Sequence, residues 1–174
     1  MIFLNVILIL FLFIIVYQDF RYQAVSWIFF PAGFVLTFLI SVKIAGYADI
    51  LSNLLMNNLF IFFQLGVIFL YFRIRFKNTL NIFKNVIGIG DILFLIMISP
   101  LFSIINFIFF FIVSLLFTLI VFIVLKALKI YKNSRVPLAG LQSLFLIIVL
   151  VIQIFSKFNL LNDFEFIDRI IYSL

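Results

Sequence analysis

The stretch Asn85-Val-Ile-Gly-Ile-Gly-Asp-Ile-Leu-Phe-Leu-Ile-Met-Ile-Ser99 places one carboxylate, that of Asp91, near the start of an apolar helix. On insertion scales an aspartate at the centre of a membrane span costs about 2.5–3.5 kcal/mol, so an acidic residue there is a candidate for function. Gly88 and Gly90 remove side chains just before this carboxylate, which lets another backbone or a substrate approach closely. Asp19 has a similar setting at the end of the first apolar run. The two aspartates are therefore the first candidates for a functional pair.

The composition indicates the class of protein. Hydrophobic residues make up 68% of the 174 residues and charged residues 10%, whereas a soluble domain has about 45–50% apolar and about 25% charged residues. A chain of this length cannot bury so much apolar surface in a core, so we expect an integral membrane protein. The apolar runs are long and lack the alternation of strands, which favours helices over a β-barrel.

Few kinds of side chain are available for chemistry. The chain has no cysteine and no histidine, which excludes disulfides, thiolate zinc sites, cysteine nucleophiles and histidine general bases. No cofactor and no metal are expected. The net charge of +6 comes from short basic segments between apolar runs, where basic residues orient helices, so no nucleic-acid partner is expected.

Six apolar runs predict an all-α bundle of about six transmembrane helices in a single membrane domain, residues 1–174. The runs cover about residues 2–18, 27–44, 51–72, 86–103, 107–125 and 137–157, followed by a tail at 158–174. The tail mixes acidic and apolar residues, as an amphipathic helix on the membrane surface does. The competing interpretation of the first run is a cleaved signal peptide. No basic segment precedes the run and no small-residue cleavage site follows it, which favours a retained helix.

The basic residues predict that the amino terminus lies outside. In this orientation nine of the 12 basic residues fall in inner segments and three in outer ones, as the positive-inside rule requires. The inner set is Arg21, Arg73, Arg75, Lys77, Lys84, Lys126, Lys129, Lys132 and Arg135, and the outer set is Lys43, Lys157 and Arg169. Asp19 and Asp91 then lie at one depth, just under the cytoplasmic face, whereas Asp49 lies in an outer connection. Only this pair of acids is placed to cooperate.

Two carboxylates close together in a medium of low dielectric hold one proton between them. One then acts as a base that activates water, and the other polarises an amide carbonyl and protonates the leaving nitrogen. This is aspartyl-protease chemistry, which needs no metal, histidine or cysteine. The other hypotheses are a small proton-coupled transporter with Asp91 as the relay, and a membrane assembly subunit without chemistry.

The motifs that contain the two acids resemble those of a known family. Gly88-Ile-Gly-Asp91 before an apolar helix resembles the G-x-G-D motif of intramembrane aspartyl proteases, and Asp19-Phe-Arg21 resembles the first half of the prepilin peptidase pattern. Arg135-Val-Pro-Leu-Ala-Gly140 resembles the late proline-containing segment of that family. The resemblance implies Asp19 and Asp91 as the catalytic pair, with supporting residues Gly88, Gly90, Arg21 and Pro137.

The same resemblance implies a substrate and a location. Members cut the basic leader from type IV pilin-like precursors, including archaeal preflagellins, at the cytoplasmic face of the inner membrane. This chain resembles the short, peptidase-only type without methyltransferase activity, because it has neither cysteine nor a cytoplasmic insert. It has Ser26 where the family usually has proline and Leu93 where a lysine is common. Membrane lipids are the other expected partners, and the sequence leaves open whether the chain forms a homo-oligomer.

Overall fold

A computed structural model describes residues 2–76, 88–129, 136–156 and 159–162. Within these ranges the chain is all-helical, which confirms the prediction of an all-α integral membrane protein. The helices are α1 (Ile2–Tyr22), α2 (Phe29–Ala45), α3 (Tyr47–Phe76), α4 (Ile89–Ile98), a 3-10 helix (Ser99–Leu101), α5 (Ile104–Ala127) and α6 (Leu138–Ser156).

The helices differ in length. Four of them, α1, α3, α5 and α6, are long and apolar enough to cross a membrane, whereas α2 and α4 are shorter apolar helices. α4 has 10 residues, which is about 15 Å of helix at 1.5 Å per residue. It is followed at once by the 3-10 turn, in which Pro100 has no amide hydrogen to continue an α-helix. The run predicted at 86–103 is thus, where the structure describes it, a short helix with a tightened end.

One face of α1 is buried, and this face carries Asp19. Leu8, Leu12 and Ile15 are fully buried, and their spacing of four and three residues puts them on one side of the helix. Asn5 and Asp19 continue the same line at its two ends and are also buried. This face packs along α6, so the packing of apolar residues in the middle of α1 fixes where the Asp19 carboxylate lies.

Side chains from α2 and α3 hold the end of α4. The last carbonyls of a helix have no partner within it. Thr37 Oγ1 donates a hydrogen bond of 2.7 Å to the carbonyl of Met97, and Asn57 Nδ2 lies 2.8 Å from the carbonyl oxygens of both Ser99 and Phe102. Asn57 therefore faces other helices, as expected of an amide in a membrane span. These contacts fix α4 and with it Asp91.

Part of the charge pattern falls outside the described residues. This applies to the tail from residue 163 onward and to the basic residues Lys77, Lys84, Lys132, Arg135, Lys157 and Arg169. The outer position of the amino terminus depends on these charges, so it stays a prediction.

Candidate functional site

Asp91 is the third residue of α4, and Gly88 is the N-cap. An acidic side chain at this position can turn back to the amide of the N-cap residue, as in a capping box, and the Gly88 amide does bond to the Asp91 carboxylate. A Cβ added to Gly88 would lie 2.8 Å from Asp91 Oδ2, which is closer than real Cβ contacts. A side chain at position 88 would therefore displace the Asp91 carboxylate from its place beside this residue.

Asp19 lies in the last turn of α1 with 8% of its surface exposed. Its Oδ2 accepts a hydrogen bond of 2.6 Å from the amide of Gly140 in α6. A Cβ added to Gly140 would lie 3.0 Å from Asp19 Cβ and 3.3 Å from Phe20 Cδ2. The glycine therefore allows α1 to approach α6 closely at the level of this carboxylate.

The two carboxylates meet at the N-terminus of α6. The amide of Ala139 donates to Asp91 Oδ1 at 3.0 Å, and the next amide, that of Gly140, donates to Asp19. Because the two amides are adjacent along the chain, the carboxylates lie close together, and their charges interact. The first amides of a helix lack intrahelical partners and form the positive end of its dipole, so they stabilise negative charge at this point.

Pro137 sets the start of this helix. It directly precedes Leu138, the first helical residue, and its carbonyl accepts the first helical hydrogen bond, at 3.0 Å from the Leu141 amide. The position of Pro137 thus decides which amides are left free of helical bonds. These are the amides of Ala139 and Gly140, which bind the two acids.

The other two residues predicted to support the site lie in different settings. A Cβ added to Gly90 would lie 3.7 Å from Phe30 Cζ, an ordinary van der Waals distance, so the space around Gly90 does not demand glycine. The Arg21 guanidinium lies 5.6 Å from the ring centroids of both Tyr17 and Tyr22 and donates to the Tyr17 hydroxyl. These are the contacts of an interfacial residue.

The sequence did not reveal the amides of Ala139 and Gly140 as part of the site. Backbone amides carry no residue signature, and only Pro137 was selected from this segment. The available signal was the pair of small residues two and three positions after Pro137, because small side chains leave amides accessible.

Among the described residues, no group of three or more histidine, cysteine, aspartate or glutamate side chains could hold a metal ion. Comparisons of the chain with protein-family models, with curated proteins and with solved structures find no match. Function is therefore inferred from the geometry of the Asp19 and Asp91 carboxylates together with the motifs that contain them.

Proposed function

We propose that the chain is an intramembrane aspartyl endopeptidase in which Asp19 and Asp91 activate a water molecule. The observation that carries the proposal is the pair of hydrogen bonds at the start of α6, from Ala139 to Asp91 and from Gly140 to Asp19. Two acids from distant parts of the sequence share one helix N-terminus, which is an arrangement for a carboxylate pair rather than for two separate surface residues.

The proposed mechanism uses one proton shared by the pair. Two carboxylates this close cannot both ionise easily in a medium of low dielectric, and the helix N-terminus stabilises the single negative charge. The ionised carboxylate takes a proton from water while the water oxygen attacks the carbonyl carbon, and the protonated carboxyl donates to the carbonyl oxygen. When the carbon–nitrogen bond breaks, the leaving nitrogen takes the proton that came from water, and the proton on the former carbonyl oxygen returns to the second carboxylate, so the pair again shares one proton.

The proposed substrates are pilin-like precursors whose basic leader is cut at the cytoplasmic face of the inner membrane. The likeness of Gly88-Ile-Gly-Asp91 and Asp19-Phe-Arg21 to prepilin peptidase motifs supports this substrate class. The position of the acids supports it too. Asp19 is in the last turn of α1 and Asp91 in the first turn of α4, so the pair suits a peptide bond at one membrane face better than one at mid-depth.

Substitution of each acid by its amide tests the peptidase. Asp19→Asn and Asp91→Asn each remove the shared proton and charge but keep the shape, so cleavage of a co-expressed precursor with a basic leader should fall by about 10³–10⁴-fold. The matched control is Asp49→Asn, because Asp49 is exposed in the first turn of α3. This variant should cleave the precursor at the normal rate. Gel mobility of the precursor gives the readout, and size-exclusion chromatography in detergent checks folding.

Normal processing by a folded Asp19→Asn or Asp91→Asn variant would refute the peptidase. The alternatives then separate. A proton-coupled transporter predicts that Asp91→Asn stops coupled flux in proteoliposomes, and an assembly subunit predicts that the substitution is tolerated. A transporter would need further buried acids to carry protons through the membrane. Asp49, the only other acid that the structure describes, is exposed, so the described residues provide no such acid.

A further inference from the structure

Four buried polar side chains lie on α5 and α6, and we call them the polar cluster: Ser114 and Thr118 on α5, and Gln142 and Ser143 on α6. Ser114 and Thr118 are one turn apart and share a face of α5. Gln142 Nε2 lies 3.4 Å from Ser114 Oγ, which joins the polar residues of the two helices. Gln142 and Ser143 follow the amides that bind the acids by three residues, or about 4.5 Å along the helix axis.

Three atoms of the polar cluster have no hydrogen-bond partner in the part of the chain that the structure describes. They are Thr118 Oγ1, Gln142 Oε1 and Ser143 Oγ. Their residues are 3%, 1% and 0% exposed, so neither bulk water nor lipid headgroups reach them. These atoms are therefore buried polar groups that need a partner from outside the described chain.

Several buried hydroxyls of this protein have a hydrogen-bond partner one turn earlier in the chain. A helical hydroxyl commonly donates to a carbonyl one turn earlier, and three of them do so here at 2.8–3.0 Å: Thr37 to Phe34, Ser99 to Ile96 and Ser114 to Phe111. Thr118 and Ser143 do not. Outside the polar cluster, the described buried side-chain atoms without a partner are Ser41 Oγ on α2 and Asn57 Oδ1 on α3.

A buried water molecule is the usual partner of such atoms. An unpaired polar atom is costly in an apolar medium and more so inside a membrane, and a buried water needs two to four polar groups around it. In the polar cluster, Ser114 connects the two helices, because it lies one turn from Thr118 on α5 and contacts Gln142 on α6. The unpartnered atoms Thr118 Oγ1 and Gln142 Oε1 therefore lie on either side of Ser114. Ser41 is a single unpartnered hydroxyl on a different helix, so it does not meet this requirement.

We propose that the polar cluster binds water and that this water replaces the molecule consumed each time Asp19 and Asp91 cut a peptide bond. The second half of this inference rests on the proposed peptidase function, and the first half does not. Hydrolysis consumes one water for each bond cut, and the wall of α1 beside the acids is apolar, with Leu12 and Ile15 fully buried. Gln142 and Ser143 of the polar cluster lie one turn away on α6, the helix whose first amides bind both carboxylates.

Isosteric removal of the unpartnered atoms tests the water site without reference to activity. Thr118→Val and Ser143→Ala delete one hydroxyl each from full-length protein in detergent. If the hydroxyls bind water, each variant loses hydrogen bonds and its thermal unfolding midpoint falls by about 2–4 °C. If the two hydroxyls bind no water, removing a costly unpaired polar atom leaves the unfolding midpoint unchanged or raises it. This result would overturn the water site.

Ser41→Ala is the matched control, since Ser41 is also fully buried with an unpartnered hydroxyl. Its midpoint should stay the same or rise. An equal fall in Ser41→Ala would show that the loss in Ser143→Ala does not report bound water, which would also count against the site. A direct readout is magnetisation transfer from water to the side-chain amide of Gln142 in protein labelled with ¹⁵N-glutamine. We expect a cross-peak that disappears in Thr118→Val, and its absence from the unmodified protein would overturn the proposal.

Kinetics separate the water site from its role in hydrolysis. Thr118→Val should lower kcat for precursor cleavage by about tenfold with KM unchanged, because the substrate still binds while water is supplied poorly. An unchanged kcat in a variant that has lost the water cross-peak would overturn the supply role and leave the peptidase intact. A protein that shows the cross-peak but cuts no precursor would refute the peptidase and leave the water site intact.

Discussion

The two glycines of the G-x-G-D motif differ in their neighbours, because an oxygen of the Asp91 carboxylate lies beside Gly88 and not beside Gly90. The Asp91 carboxylate lies 2.8 Å from where a Gly88 side chain would begin, whereas a Gly90 side chain would begin 3.7 Å from a phenylalanine ring. The neighbour at Gly88 is the movable end of a side chain, so a methyl group there displaces the carboxylate rather than the fold. The sequence shows two equivalent glycines, and only the direction of the Asp91 side chain tells them apart.

Alanine substitutions should therefore have opposite outcomes at these two positions. Gly88→Ala should fold but cleave the precursor about 10²-fold more slowly, because Asp91 moves away from the Ala139 amide and small displacements of reacting groups are costly. Gly90→Ala should keep near-normal activity. Cleavage rates and thermal unfolding midpoints of both variants measure this, and equal losses of activity would contradict the geometry described for Gly88.

The candidate acids themselves could be predicted at the residue scale, since a charged residue at the end of an apolar run stands out in any sequence. The amides of Ala139 and Gly140 could not. Their function depends on the position of Pro137, on α6 beginning at Leu138, and on α1 lying close enough for Asp19 to reach. No local pattern contains all three conditions.

At the scale of the element, the close approach of α1 to α6 depends on Gly140. A Cβ there would press on both the Asp19 and Phe20 side chains. Gly140→Ala should separate the two helices slightly and destabilise the protein by about 1–3 kcal/mol, as overpacking does. It should also weaken the hydrogen bond to Asp19 and lower activity.

Gly66→Ala on α3 provides the comparison. Nothing lies within 4 Å of a Cβ at position 66, and alanine in a helix interior is more stable than glycine by about 0.5–1 kcal/mol. Unfolding in a denaturing detergent should therefore rank Gly66→Ala above the unmodified protein and Gly140→Ala below it. The reverse order would show that the contact between α1 and α6 is not limited by this glycine.

The existence of each helix can be predicted from the runs of apolar residues, because a helix satisfies the backbone hydrogen bonds of a long apolar run inside a membrane. The end of α4 cannot be predicted in this way. The apolar run continues to residue 103, but the helix tightens at Ser99 because Pro100 lacks a donor. Asn57, far away in sequence, donates to the carbonyls of Ser99 and Phe102 at this end. Helix ends that depend on a partner in another helix are not visible in a linear pattern.

At the scale of the whole molecule, the orientation in the membrane can be measured directly, since the chain has no cysteine of its own. Ser26 in the connection from α1 to α2 and Ala48 at the start of α3 are both exposed. With the amino terminus outside, Ser26→Cys should react with a membrane-impermeant maleimide only in inverted vesicles, and Ala48→Cys only in right-side-out vesicles. Labelling of both in detergent is the control. The opposite pattern would place the carboxylate pair at the outer face.

The unequal helices have a consequence for the surrounding lipid. The 30 residues of α3 and the 17 of α2 correspond to about 45 Å and 26 Å of helix, on either side of a hydrocarbon thickness of about 30 Å. Val35 and Leu39 on α2 are exposed, so lipid meets a helix that is shorter than the hydrocarbon thickness. We expect the bilayer to thin along α2 and not along α3, with the headgroup layer dipping toward the protein on that flank.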